Sequence, residues 1–334
     1  MIILDSHQAA VDLLDKKGAI YNDRPKLTLY ELKIKDFERM QTEEARTLVR
    51  NLMESPPEKY GKFMSRFATG IITQIVAGHQ ITRDPREAAR STSSLSVREL
   101  YEYPLRAKHG EASPSFVLEH LERMEEGDDE DDLKGAAATM FGAGEATTWS
   151  ALTIFILAMI LHPEMQVKAQ QEIDSVVGDL RLPEFKDRVD LSFIEGILQE
   201  NFRWNPPVPL GIPYRAMEND VYNGMFIPKG ALIFANIKGM ALDENVYSNP
   251  LSFRPERCLA KPTGAGEPPF NQVFGVGRRI CTGQYVADNS LWIAVATILA
   301  TCTITNAVDE SGEIIVPGST LTDGLVRQVT MRSA

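Results

Sequence analysis

The residues best suited to chemistry lie late in the chain, in the run FGVGRRICTG at positions 274–283. Cys281 stands there beside Arg278 and Arg279, in a loop punctuated by Gly275, Gly277 and Gly283. A cysteine is a strong metal ligand only as the thiolate, which is favoured where N–H groups and a helix N-terminus point at the sulfur. Glycines permit the tight loop this requires, because they accept backbone angles that other residues avoid. A neighbouring arginine offers a forked, charge-assisted contact to a carboxylate of a bound group. The pattern therefore suits iron held through sulfur. A glycine-rich surface turn around a structural cysteine has a similar composition. A phosphate cradle fits less well, since its further glycines and strand–loop–helix setting are missing.

Two other groups carry reactive side chains. Glu200 and Arg203 are spaced i,i+3, which places both on one helix face. Such a pair alone is commonly a surface feature. Ala143–Thr148 reads AGEATT, within a long apolar stretch. The hydroxyls of Thr147 and Thr148 can bond back to helix carbonyls or take part in proton transfer. The three cysteines, Cys258, Cys281 and Cys302, include no CxxC pair. Neither a zinc knuckle nor a disulfide scaffold is therefore expected.

The elements that must position these residues are mainly helices. Apolar spacing predicts helices over 43–53 and 60–77, then a polar stretch at 83–98. The acidic run 122–132 reads as a solvated loop whose last acids favour the N-terminus of the next helix. That helix runs over 133–161, and Pro163 permits a new start. A further helix over 191–204 is stopped by Pro206 and Pro207. Short strands follow to about 235, then a proline-rich irregular stretch over 249–271, then a helix from near Cys281 to about 299. The first residues read as strand then helix. Of the 334 residues, 43% are hydrophobic and 24% charged. That is the balance of a globular chain, and one domain over 1–334 is expected. The net charge of -11 argues against nucleic acid as a partner. The apolar runs 149–161 and 291–302 are too short for a membrane span, which takes roughly 18 residues.

Phe274, Gly277, Arg279, Cys281 and Gly283 match Phe-x-x-Gly-x-Arg-x-Cys-x-Gly, and the chain resembles the cytochrome P-450 superfamily, for which this is the heme-binding signature. The likeness is nearly continuous over 133–324, and closest to fungal microsomal enzymes such as the O-methylsterigmatocystin oxidoreductase group. It implies a mainly α fold with a small β-rich part, heme b with Cys281 as axial ligand, and Arg279 on a propionate. Glu200 and Arg203 resemble the Glu-x-x-Arg pair of helix K, and PLSFRPER at 250–257 a later segment whose arginine, Arg257, joins that pair. Ala143–Thr148 is similar to the oxygen-binding part of helix I, with Thr147 as proton relay. Here Ala146 stands where the family has an acid, and the acid lies one residue earlier at Glu145. One residue is about 100° around the helix. Tyr214 or Arg215 is the candidate for a second propionate contact, and Lys238 stands where relatives often carry Trp.

The resemblance implies a monooxygenase that takes electrons from NADPH through a reductase and inserts one atom of O2 into an apolar small molecule, in secondary metabolism. It also implies tethering to the endoplasmic reticulum, although no anchor is found here, which points to the cytosol instead. Parts of the family pattern are missing. No tryptophan has an arginine four residues later, as helix C requires for heme propionates. The stretch 80–115 is too short for helices F and G, which roof the cavity. A degenerate or mis-spliced, non-catalytic relative is the alternative.

Overall fold

A computed structural model describes residues 1–21, 35–81, 100, 102, 113–125, 127–309, 311–315, 317, 321–327 and 329. The expectations for 83–98 and for most of 80–115 lie outside these residues. The described chain is mostly helical with small sheets, the α+β class expected of the family.

Strand β1 (Ile2–Leu4) leads into the short helix α1 (His7–Ala10), a π-helical turn (Val11–Lys16) and α2 (Gly18–Tyr21). Ser6 caps α1 by accepting from the Ala9 N–H at 3.2 Å, satisfying an otherwise orphaned donor. The next helices are α3 (Lys35–Glu54) and α4 (Tyr60–Ala77). Then come α5 (Phe116–Arg123), the 32-residue α6 (Glu130–Leu161), α7 (Pro163–Val176) and α8 (Ser192–Trp204). Strands β2 (Tyr214–Arg215), β3 (Asp220–Tyr222), β4 (Met225–Ile227) and β5 (Leu232–Ala235) follow, then α9 (Ile237–Ala241). The last helix, α10 (Gln284–Thr301), starts just after Cys281, as expected; strands β6 (Ala307–Val308) and β7 (Ile314–Ile315) come after it.

The sheet order is β1-β5-β2, with β1 parallel and β2 antiparallel to β5, so Ile2 and Tyr214 both flank Ile233. Strands β3 and β4 form a hairpin whose two-residue turn, Asn223-Gly224, has φ of 48° and 78°. Two positive φ values make the mirror-image turn that matches strand twist. Lys17 and Tyr21 both donate to Asp220 at 2.7 Å, tying the N-terminal segment to this hairpin.

The helical core centres on α3, α4, α6, α8 and α10. Phe63, Phe67, Phe155, Phe202 and Trp292 are buried there, each worth about 1.5–3 kcal/mol against exposure. Helix α6 has the length and apolarity to cross a membrane, but its second half, from Thr148 to Met159, is largely buried against neighbouring helices. Its start lies inside the acidic run, ahead of the expected residue 133, because those acids suit a first helical turn. Asp129 accepts from the Asp131 N–H at 2.8 Å, a side-chain cap on an orphaned donor. Glu130, Asp131 and Asp132 occupy the first turn, where the helix dipole favours them.

Helix α3 begins well before the predicted residue 43. Two polar side chains on its buried face hide the period. Gln41 donates to Ser290 Oγ at 2.9 Å and to Val286 O at 3.1 Å on α10, and Glu44 is buried in an ion pair with Arg66 of α4. Helix α8 is capped from outside: the N–H groups of Phe193 and Ile194 donate to the Glu172 carboxylate of α7 at 2.8 and 3.1 Å. These are donors that the helix itself leaves without partners.

Candidate functional site

The loop carrying Cys281 is closed on itself, with the Cys281 N–H donating to Phe274 O at 2.7 Å and the Ile280 N–H to Gly277 O at 3.2 Å. Gly277 has φ of +73°, and a Cβ there would lie 2.3 Å from Leu14 O. Only glycine lets the loop turn this way and rest on the backbone of the π-helical turn. Tyr214, 3% exposed, donates from its hydroxyl to Val276 O at 2.9 Å. The Phe274 ring meets Phe202 of α8 edge-on, 5.3 Å between centroids.

Cys281 is an exposed residue at the end of this loop. Burial by the protein packed behind it raises its thiol above the ordinary value, and a hydrogen bond from the Gly283 backbone offsets only part of that rise. Arg279 is half-buried two residues before it; Arg215 is exposed on β2, next to the loop-holding Tyr214.

On α8, which meets the loop through Phe202, Glu200 and Arg203 are drawn together with Arg257 at 0% side-chain exposure. Arg203 donates to both Glu200 oxygens at 2.8 Å, and Arg257 Nε reaches the same carboxylate at 3.3 Å. The Arg254 N–H adds a fourth bond at 2.9 Å. The remaining guanidinium donors meet carbonyls of Ala241, Ser248, Asn249 and Ser252. Arg257 also pairs with Glu267 at 2.7 Å, so two cations face two anions and the buried charges balance. Burial works to raise the Glu267 carboxyl, but bonds from Ser248 and Arg257 hold it below its ordinary value. Sequence reasoning missed Glu267, which sits in the irregular stretch with no periodic signal. The approach is close: a Cβ on Gly196 of α8 would lie 2.7 Å from Pro255 O.

The reactive residues of α6 divide between two sides. A Cβ on Gly144 would lie 2.7 Å from the Ile72 side chain, so this glycine packs on α4. Ser65, also on α4, donates to Glu145 at 3.2 Å. Burial pushes the Glu145 carboxyl up, partly offset by that bond. Thr147 lies about 200° further around the helix. It donates to Ala143 O at 2.7 Å and shares an open face with the exposed Gly142 and Ala143; Thr148 is buried. Glu145 and Thr147 are therefore not brought together.

Lys238 of α9 sits at the C-terminal end of α8, donating to Trp204 O and, at 3.2 Å, to Asn205 Oδ1. Burial, with Arg203 and Arg327 nearby, brings its amine down to about 8.

A cysteine set just before a helix, with the Gly283 N–H on its sulfur, is a candidate metal ligand. One open sulfur suits a metal that brings its own chelate, as heme iron does. The profile of the cytochrome P-450 family matches residues 105–324, and the chain belongs to that family, which binds heme iron through a cysteine thiolate. It is 34% identical to cytochrome P-450 monooxygenase 136 of Postia placenta over 414 aligned positions, covering 98% of this chain and 78% of the relative. Against cytochrome P-450 monooxygenase claR of Ampulloclitocybe clavipes it is 32% identical over 423 positions, covering 100% and 78%. Against cytochrome P-450 monooxygenase ple1 of Rhodocybe pseudopiperita, identity is 43% over 217 positions, 63% of this chain and 41% of the relative. An alignment of 414 positions over a chain of 334 residues leaves at least 80 positions of the first relative opposite gaps within this chain. These relatives support the superfamily and the fungal likeness; they do not bear on the narrower O-methylsterigmatocystin oxidoreductase group.

Proposed function

We propose that the chain is a heme-thiolate monooxygenase acting on an apolar small molecule, in secondary metabolism, with electrons from NADPH through a reductase. The observation that carries this is the closed loop 274–281 presenting Cys281 ahead of α10, with Gly283 N–H on the sulfur. Cys281 would ligate the heme iron through its sulfur, and Arg279 and Arg215 would pair with the propionates of the bound heme. When bound, the heme supplies the oxygen-activating centre. The chain's own part is to present the sulfur, keep the loop fixed through its packing on Leu14, Tyr214 and Phe202, and deliver protons. Thr147 is the proton-handling residue of choice, because its hydroxyl lies on the open face of α6. Glu145 acts at most indirectly, since it faces Ser65. Residence at the endoplasmic reticulum membrane is part of the same proposal.

A second reading is a non-catalytic relative with weak or no heme binding. It is favoured by the 80 or more relative positions that fall opposite gaps, and by the absence from the sequence of a tryptophan followed four residues later by arginine. The carbon monoxide difference spectrum of the dithionite-reduced protein separates the two. A red-shifted Soret band lost in Cys281→Ala supports the enzyme; a folded sample that takes up no heme refutes it.

A further inference from the structure

We infer that Tyr214 is a positioning residue for the thiolate ligand: its hydroxyl, bonded to Val276 O, latches the loop that presents Cys281. This rests on the heme-thiolate reading of that loop. The loop has an internal closure, Cys281 N–H to Phe274 O, which fixes its two ends relative to each other. That ring does not fix the loop against the rest of the fold. Contacts from three elements do so: the Phe274 ring on Phe202 of α8, Gly277 on the π-helical turn and Tyr214 of β2. The ring contact and the close packing of Gly277 on the Leu14 carbonyl resist compression but do not pull. The Tyr214 hydroxyl, at 2.9 Å from Val276 O, is a directional hydrogen bond that holds the loop backbone to β2.

The setting makes the bond matter. Tyr214 and Val276 are 3% and 6% exposed. Water therefore does not replace the donor cheaply, and a buried carbonyl without a partner is costly. Tyr214 itself is held in the sheet by its pairing with Ile233 of β5, so the latch is anchored in a rigid element and not in another loop. A carbonyl five residues before the ligand is close enough in a tight loop for its movement to shift the sulfur.

The test uses the full chain as wild type, Tyr214→Phe and Tyr21→Phe. Tyr21 is the matched control: it is buried and its hydroxyl bonds Asp220 at 2.7 Å, away from the loop. Hydrogen exchange of the peptide spanning 274–283 is measured without added heme. Loss of one buried hydrogen bond is expected to speed exchange there about tenfold in Tyr214→Phe, and not in Tyr21→Phe. Equal exchange in wild type and Tyr214→Phe overturns the latch, as does equal acceleration by the control. The reduced carbon monoxide spectrum is then recorded. A smaller fraction with the red-shifted Soret band in Tyr214→Phe alone supports the latch, and an unchanged fraction overturns it. Should the wild type take up no heme, the heme reading falls while the exchange result still decides the latch.

Discussion

Replacing Glu200 with glutamine tests the buried network with the least change in shape. The carboxylate accepts two bonds from Arg203 at 2.8 Å, one from Arg257 at 3.3 Å and one from the Arg254 N–H at 2.9 Å. The amide loses the charge and turns two N–H donors toward groups that are donors themselves. Arg257 then keeps Glu267, while the fully buried Arg203 loses its carboxylate partner. Breaking one partner of a buried pair costs about 3–5 kcal/mol, a large part of the roughly 5–15 kcal/mol that holds a domain folded. With a urea slope of about 3 kcal/mol/M or more for a chain of this size, the unfolding midpoint should fall by about 1 M. The comparison is Glu256→Gln. Glu256 pairs with Lys168 at 2.5 Å, with side-chain exposures of 50% for the lysine and 27% for the acid. That pair should cost less than about 1 kcal/mol. Equal midpoints for the two variants would refute the claim that burial and convergence make the Glu200 network strong.

Gly277→Ala should destabilise the chain by about 2–4 kcal/mol in the same unfolding assay, since its φ of +73° and the Leu14 carbonyl both reject a methyl group. A change under about 0.5 kcal/mol, the size of an ordinary surface substitution, would contradict it. Thr147→Val should lower product formation about 100-fold with heme content unchanged, by analogy with the size of other proton-transfer losses; normal turnover with an apolar test substrate would count against the relay. Lys238 gives a pH effect with a definite sign. Its folded pKa of about 8 lies below the ordinary value of 10.5, so between the two the unfolded chain binds the proton more tightly. Stability should therefore rise as pH goes from about 8 to about 10.5, by at most about 3 kcal/mol, and Lys238→Met should flatten that rise. An equal slope in both proteins by thermal melting would exclude Lys238 as its source.

Much of the fold is legible in the sequence because its punctuation is local. Pro163 opens α7 as expected, and the helix before Pro206 ends at Trp204. The Cys281 loop is legible for the same reason: its glycines and arginines lie within a single short run. What cannot be read depends on partners far away in sequence. Gln41 and Glu44 look like surface residues of α3 until Ser290 and Arg66 are brought to them. Glu267 follows Arg257 in an irregular stretch, and neither type nor spacing marks it. Tyr214 is a candidate for a bound propionate on the sequence, yet its hydroxyl is turned to Val276 O. The side of α6 that Glu145 takes is half legible. A step of about 100° per residue separates it from the usual acid position, but nothing in the sequence says that Ser65 of α4 receives it.

The missing Cβ at Gly196 constrains how this lineage can change. Every other amino acid places its first side-chain carbon at the same point, 2.7 Å from the Pro255 carbonyl. Alanine, serine and leucine therefore meet the same backbone obstacle, and no exchange at a neighbouring position removes a main-chain oxygen. Gly144 differs, because its obstacle is the Ile72 side chain. A smaller residue at 72 makes room for a larger one at 144, so these two sites are free to drift as a pair. Position 196 has no such compensating partner, and in a library of variants it should tolerate almost nothing, while 144 and 72 trade volume across the helix contact.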